Sequence, residues 1–169
     1  MLKHRRKLLA AAAAALAAGT IAVTGITAAI ATPVTGPAIS GTEHFQLMST
    51  SATSSTSHAI AYGIFTAGGL DHQGAKIDTV VFPGGTIKFR HSPGTGPQTF
   101  NPKTCLLTIS KQGTYKLLSG TGKYAGISGH GSYKLSILAI GARSGGNCTK
   151  TRPPVAFQLI IRASGPAHL

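Results

Sequence analysis

The sequence predicts an all-β protein built as a single closed antiparallel barrel of about eight strands. Beyond residue 41, short alternating or apolar segments recur between glycine- and proline-rich turns, and glycine interrupts every window that would otherwise keep the apolar spacing of a helix. Closure is favoured because several segments have one mostly apolar face and one mixed face, and a barrel leaves no unpaired strand edge. A barrel of this size is either filled by side chains or holds one small ligand.

The first 31 residues have the form of a cleaved secretory signal peptide. A basic run, Lys3 to Lys7, precedes the apolar stretch Leu8 to Ala18, and an A-x-A signature ends at Ala31. The alternative is a retained membrane anchor, because residues 8–31 are long enough to span a bilayer, although they are only mildly apolar. We expect a secreted protein cleaved near Ala31, exported by the Sec route or by the twin-arginine route that Arg5-Arg6 permits.

The charge balance is strongly basic, with 16 lysines and arginines against three acids and a net charge of +13. Cleavage removes four basic residues and no acid, which leaves +9 over the 138 residues of the mature chain. An anionic envelope polymer is therefore one expected partner, and solubility alone is the alternative explanation. Nucleic acid is not expected, because the protein is exported and its cations are scattered singly. No stable membrane span is expected after cleavage.

The mature chain begins with a short flexible segment over residues 32–41, and the barrel domain is expected over 42–169. In its N-terminal half, a Ser/Thr tract over 49–57 and Pro83-Gly84-Gly85 separate strands. Gly68-Gly69 is expected to end the second strand, with a turn over Leu70–Gly74, and Ser92–Pro102 is expected to be an irregular loop. The expected strands are Glu43–Ser49, His58–Phe65, Lys76–Phe82 and Thr86–His91.

The C-terminal half is expected to start with a hairpin, in which Lys111-Gln112-Gly113 is the loop and Gly113 is left-handed. A turn follows over Ser144–Asn147, and Gly165-Pro166 is expected to end the last strand. The expected strands are Thr104–Ser110, Thr114–Leu118, Tyr133–Ala142 and Val155–Ala163.

Cys105 and Cys148 are the two cysteines of the chain, 43 residues apart. In an oxidising compartment, an even count indicates a disulfide, and two cysteines allow one pairing. A reactive thiol is the alternative, but neither cysteine has a histidine or another base close in sequence. We expect the disulfide Cys105–Cys148.

The most distinctive stretch is residues 119–133, which is rich in glycine. A phosphate-binding loop would need Ser or Thr after Lys123 and a glycine five residues before it, and Tyr124 and Leu117 stand there instead. A dinucleotide fingerprint would have to open a helix, which the following glycines prevent. The remaining interpretation is structural: the glycines allow tight turns and close backbone approach at a barrel corner. The motif residues are Gly120, Gly122, Tyr124, Gly126, Gly129 and Gly131.

With these residues, the chain resembles the allene oxide cyclase and dirigent barrel superfamily, whose members carry such a segment before a long strand. It is most similar to bacterial secreted proteins with an allene-oxide-cyclase-like barrel, over residues 104–165 and, more loosely, 42–103. The resemblance implies a calycin-like, eight-stranded antiparallel barrel with an apolar cavity. Cyclisation of a fatty-acid epoxide and steering of phenoxy-radical coupling are activities of the superfamily. No catalytic residue of either maps onto a motif here, and a shared fold does not carry function.

Few residues could carry acid–base chemistry. Glu43, Asp71 and Asp78 are the three acids, and each could act as a base if buried. Asp71 is expected in a turn, and Asp78 is expected to pair with a lysine or arginine. No two histidines stand at i,i+2 or i,i+4, so no local metal chelate is visible, and neither a metal nor a cofactor is expected. The mature histidines are His44, His58, His72, His91, His130 and His168.

We therefore expect a secreted barrel that binds a small apolar or amphipathic ligand in its cavity. One alternative is a cyclase or isomerase acting on a fatty-acid-like or phenolic substrate, which would need an acid or a tyrosine inside the cavity. Another is a structural or adhesive envelope protein that binds anionic polymers. Enzymatic activity is the less favoured expectation because acids are scarce. The sequence assigns neither catalytic nor ligand-binding residues, because each strand's inward face is ambiguous.

Overall fold

The structure is a computed structural model that describes residues 38–169. The predicted signal peptide and residues 32–37 lie outside the described residues. Eleven strands and one 3-10 turn, Gly122–Tyr124, make up the described chain. The strands are β1 (Ser40–Ser49), β2 (Thr56–Tyr62), β3 (Thr66–His72), β4 (Ile77–Phe82), β5 (Gly85–His91), β6 (Gln98–Asn101), β7 (Leu106–Gly120), β8 (Ser128–Ile140), β9 (Arg143–Ser144), β10 (Asn147–Cys148) and β11 (Ala156–His168).

Eight of these strands form a closed antiparallel barrel, which confirms the predicted fold class. Their order is β5-β4-β3-β2-β1-β11-β8-β7, and pairing of β5 with β7 closes the ring. Strand β6 pairs with the first part of β7, while β9 and β10 form a small separate hairpin. The first strand starts two residues before the expected domain boundary. Ile39, just before it, exchanges two backbone hydrogen bonds of 2.8 Å with Leu169.

One end of the barrel is filled by aromatic rings. The inward faces of β2 and β3 carry small residues such as Ala59, Ala61 and Gly69, which leave room for large side chains from other strands. Ring centroids in this cluster lie 4.8 to 6.3 Å apart, mostly edge to face, an arrangement that aromatic pairs favour. Packing is therefore dense at this end. The cluster consists of Phe45, Phe65, Phe82, Phe89, Tyr115 and Tyr124.

The hairpin expected at Lys111-Gln112-Gly113 is wrong, because β7 runs without a break through these residues. Gly113 does not have a positive φ. It lies opposite Tyr133 in the register of β7 and β8, and a Cβ on Gly113 would lie 2.7 Å from the tyrosine ring. Glycine is needed here to make space for an aromatic side chain, and not to turn the chain.

Two other glycine signals also mark strand interiors rather than ends. Gly68 and Gly69 lie within β3, where a Cβ on Gly69 would meet the carbonyl oxygen of Val81. The expected turn over Leu70–Gly74 is therefore wrong in its first three residues. Gly165-Pro166 does not end the last strand, because β11 continues to His168. In both places glycine permits close approach of a neighbouring strand.

The disulfide between Cys105 and Cys148 is present, as predicted. It links the residue before β7 to the end of β10, and Cys105 is fully buried. Cys105 is left-handed, with φ at 58°, and its carbonyl oxygen accepts a hydrogen bond from Gly141. The cross-link therefore fixes the small β9–β10 hairpin against the start of β7.

Candidate functional site

A cavity of about 340 Å³ occupies the barrel at the end opposite the aromatic filling. Inward side chains of β8 and β11 form an apolar wall on one side of it. Phe45, Val80 and Phe89 lie beneath it. The wall residues are Leu135, Ile137, Phe157, Leu159 and Ile161.

Polar side chains gather on the opposite side, where β3, β4 and β5 reach the same rim. Asp71 lies near the end of β3, Asp78 near the start of β4, and His91 at the end of β5. Register places Asp71 opposite Val80, and Asp78 opposite Phe89, with each pair on the inward face. The cavity therefore has an apolar side and a titratable side, the usual composition of a small-molecule site.

Asp71 is the most unusual group of the site. It is fully buried, and neither carboxylate oxygen has a hydrogen-bond partner in the described residues. Burial, and then the nearby charge of Asp78, raise its pKa to about 7. The expectation that Asp71 is a turn residue is wrong, because it lies in β3 and points into the barrel.

Asp78 pairs with a histidine. The expectation that it pairs with a lysine or arginine is therefore wrong. Its Oδ1 lies 3.6 Å from Nε2 of His91 and accepts a hydrogen bond of 2.8 Å from the backbone N–H of Gly74. The imidazole of His91 meets the ring of Tyr133 edge to face. Asp78 and His91 thus form a partly buried acid–base pair at the rim.

Two tyrosines also belong to the polar lining. Tyr133 donates a hydrogen bond of 2.8 Å to the carbonyl oxygen of Ser92, and burial raises the pKa of its phenol. Burial, together with the charge of Glu43, raises the pKa of Tyr115 to about 12. Both phenols therefore stay protonated at neutral pH and can act as hydrogen-bond donors.

Glu43 lies apart from this group and does not line the cavity. Its Oε2 accepts backbone hydrogen bonds from Ile64 and Phe65, at 2.8 and 3.3 Å, and so fixes the turn between β2 and β3. Oε1 has no hydrogen-bond partner in the described residues, and burial raises the pKa of the carboxyl despite these bonds. Its contacts indicate a structural role.

Charge is separated between the inside and the outside of the barrel. All three acids of the chain point inward, and within residues 38–169 none lies within ion-pair distance of a lysine or arginine. Among the residues that the structure describes, no lysine or arginine lines the cavity. Arg90 and Lys116 lie directly opposite each other on the outer face, as do Arg162 and Lys134. An acidic site is thus enclosed in a basic shell.

The glycine motif forms a corner at the filled end. Gly122 and Gly126 have positive φ values of 58° and 87°, and a Cβ on Gly120 would meet the carbonyl oxygen of Tyr124. The Tyr124 ring packs against Phe65 and Phe82. None of the motif residues lines the cavity, so their contribution is to the shape of the barrel.

The described part of the chain contains no cluster of three or more histidine, cysteine or acidic residues that could hold a metal ion. Of the histidines, His91 lines the cavity, whereas His44 stacks on Tyr62 at 4.8 Å on the outer face.

Across residues 38–169, no helix is both long and apolar enough to cross a membrane.

Comparison with protein-family models, with curated proteins and with solved structures finds no match to this chain.

Proposed function

We propose that the barrel binds a small apolar or amphipathic molecule in its cavity. The observation that carries this proposal is a cavity of about 340 Å³ with an apolar wall on one side and Asp71, Asp78 and His91 on the other. Ligand sites generally enclose about 300–1,000 Å³, so this cavity suits one small molecule. The resemblance to allene-oxide-cyclase-like barrels and the predicted export are in keeping with this proposal.

The cavity wall offers a matched pair of residues for a test. Ile137 lines the cavity, whereas the next residue, Leu138, points outward and is 44 % exposed. A tryptophan at 137 should fill much of the space, whereas one at 138 should leave it intact. The chain has no tryptophan of its own, so either variant also gains a fluorescent reporter.

The experiment is a titration with prodan, a neutral dye whose emission shifts to the blue in apolar surroundings. We expect saturable binding to the native protein and to Leu138→Trp, and at least tenfold weaker binding to Ile137→Trp. Equal binding by the two variants, or no saturable binding to the native protein, would contradict the proposal.

A second candidate function is a proton-transfer isomerase or cyclase acting on a molecule held in the cavity. It is favoured by Asp71, an unpartnered carboxyl beside an apolar cavity whose pKa of about 7 suits proton transfer at neutral pH. In such a step, the C–H bond next to a carbonyl breaks, the proton goes to the Asp71 carboxylate, and the electron pair moves to the carbonyl oxygen.

Exchange of α-protons of 2-tetralone in deuterated water, followed by NMR, tests this activity. We expect faster exchange with the native protein and the uncatalysed rate with Asp71→Asn. Exchange that is not accelerated, or that survives replacement of Asp71, Asp78 and His91 together, would exclude a side-chain acid–base mechanism at this site.

A further inference from the structure

The geometry points to a ligand with a basic nitrogen: an apolar molecule whose protonated amine lies against Asp71 and Asp78. This inference rests on the proposed function, because it specifies which small molecule the cavity favours. It is carried by the unpartnered carboxyl of Asp71 and by the separation of charge in the barrel.

The first argument concerns hydrogen bonding. Buried polar groups normally have partners, and each oxygen of Asp71 lacks one in the described residues. An alkylammonium group has three N–H donors, enough for the two oxygens of one carboxylate and one further acceptor. Hydrogen bonds between ionised partners are also the stronger ones. An alcohol has one O–H donor and would leave at least one carboxylate oxygen unpaired.

The second argument concerns charge. A ligand with a carboxylate at this rim would lie beside two acidic side chains, and no lysine or arginine of residues 38–169 lines the cavity to offset the repulsion. A neutral head group would leave the buried carboxyl of Asp71 uncompensated. Only a cationic head group places an opposite charge beside the buried carboxylate of Asp71.

The binding should also depend on pH. The titratable groups that line the cavity around Asp71 are Asp78 on β4, His91 on β5, Tyr115 on β7 and Tyr133 on β8. Both tyrosines stay neutral, and protonation of Asp71 at low pH removes the charge that attracts the ammonium group. Affinity for an amine should therefore rise as the pH passes through about 7, where Asp71 ionises.

The test is isothermal titration calorimetry with three ligands of the same chain length: decylamine, decanol and decanoate. At pH 8 we expect the native protein to bind decylamine at least tenfold more tightly than decanol, and decanoate most weakly. At pH 5.5 the advantage of the amine over the alcohol should shrink at least fivefold.

Two variants locate the effect. Asp71→Asn should reduce the preference for decylamine over decanol at least fivefold while leaving decanol binding within threefold of the native value. Glu43→Gln removes another buried carboxyl that does not line the cavity, so it should keep the preference for the amine. Circular dichroism confirms that each variant is folded, and the native titrations stand by themselves if one is not.

The outcomes separate this inference from the proposed function. Decanol binding with no advantage for decylamine, or tighter binding of decanoate, would overturn the amine preference alone. Failure of all three ligands to bind would overturn both. Loss of the amine preference in Glu43→Gln as well as in Asp71→Asn would show that net charge, and not contact with Asp71, determines it, and would also overturn the inference.

Discussion

Asp78 and His91 face each other at 3.6 Å on adjacent strands, and theirs is the only ion-pair contact in the described part of the chain. A chain with 16 lysines and arginines offers many cations to a solvent-facing aspartate. Asp78 instead points inward, as Asp71 does, and the cations remain outside. Two of the three acids therefore lie where a ligand would bind.

Replacing Asp71 should change how stability depends on pH. Its folded-state pKa of about 7 lies above the ordinary value of 3.8, so its contribution to stability is complete below about pH 3.8 and is lost as the pH rises through 7. The loss amounts to roughly 4 kcal/mol for a shift of this size. Asp71→Asn should therefore be more stable than the native protein at pH 8, with a smaller difference at pH 4. Urea denaturation at several pH values measures this, and parallel curves would contradict it.

Removing the disulfide should destabilise the barrel. Because the cross-link closes a loop of 43 residues, the loss of chain-entropy constraint predicts about 4 kcal/mol for the double variant Cys105→Ser, Cys148→Ser. The measurement is the midpoint of urea denaturation with and without dithiothreitol. The reductant should shift the native protein towards the variant and leave the variant unchanged. Equal midpoints for native protein and variant would contradict the prediction.

Gly113 and Gly68, two glycines that lie inside strands, offer a matched comparison. A Cβ on Gly113 would overlap the ring of Tyr133 at 2.7 Å, whereas one on Gly68 would meet no atom within 4 Å. Gly113→Ala should therefore lower stability by about 1–3 kcal/mol through overpacking. Gly68→Ala, also within a strand, should be neutral or slightly stabilising. Thermal denaturation of both variants decides this, and similar behaviour would show that the space beside Tyr133 is not needed.

The outer surface predicts a salt-dependent effect. Arg90 and Lys116 lie directly opposite each other across β5 and β7, and like charges in such positions repel. Lys116→Glu should raise the melting temperature at low salt, and the gain should shrink as salt screens the pair. Lys116→Gln, which removes the charge without reversing it, should gain less. A gain that salt does not alter would exclude an electrostatic cause.

The basic outer surface is the basis for predicting an anionic envelope polymer as a partner. We expect the native protein to bind immobilised dextran sulfate at low salt and to release it as salt rises. A variant with Lys116→Glu and Lys134→Glu should be released at lower salt, because both cross-strand pairs of cations are then broken. Retention that is the same for both proteins would indicate that these pairs are not part of the contact.

Much of the barrel could be predicted because turns and alternation are local properties of the chain. The disulfide followed from the cysteine count, β4 from its apolar residues before a Pro-Gly-Gly turn, and β5 from its clean apolar alternation. The positions of Gly113 and Gly69 could not be interpreted in this way, because each glycine makes room for a group on a neighbouring strand. The local sequence pattern does not show the ring or the backbone carbonyl that occupies this room.

The site could not be located from the sequence, because the inward faces of its strands are ambiguous. On β4 the two faces carry Val80 and Val81, and only the structure places Asp78 on the inner face with Val80. On β3 the pattern misleads, because Leu70 is 43 % exposed while Asp71 points inward. The same inversion occurs on β2, where Ile60 and Tyr62 are outside. Small inward residues are required there because rings from distant strands fill the barrel, which only the folded structure shows.

The most direct test of cavity binding is an isotope-edited NMR measurement of contacts between decanol and the methyl groups of the protein. With saturating ligand, we expect nuclear Overhauser effects from the alkyl chain to Leu135, Ile137 and Ile161, which line the cavity. None is expected to Leu138 or Ile140, which lie on the outer face of β8. Contacts to the outer methyl groups, or none to the inner ones, would contradict binding inside the barrel.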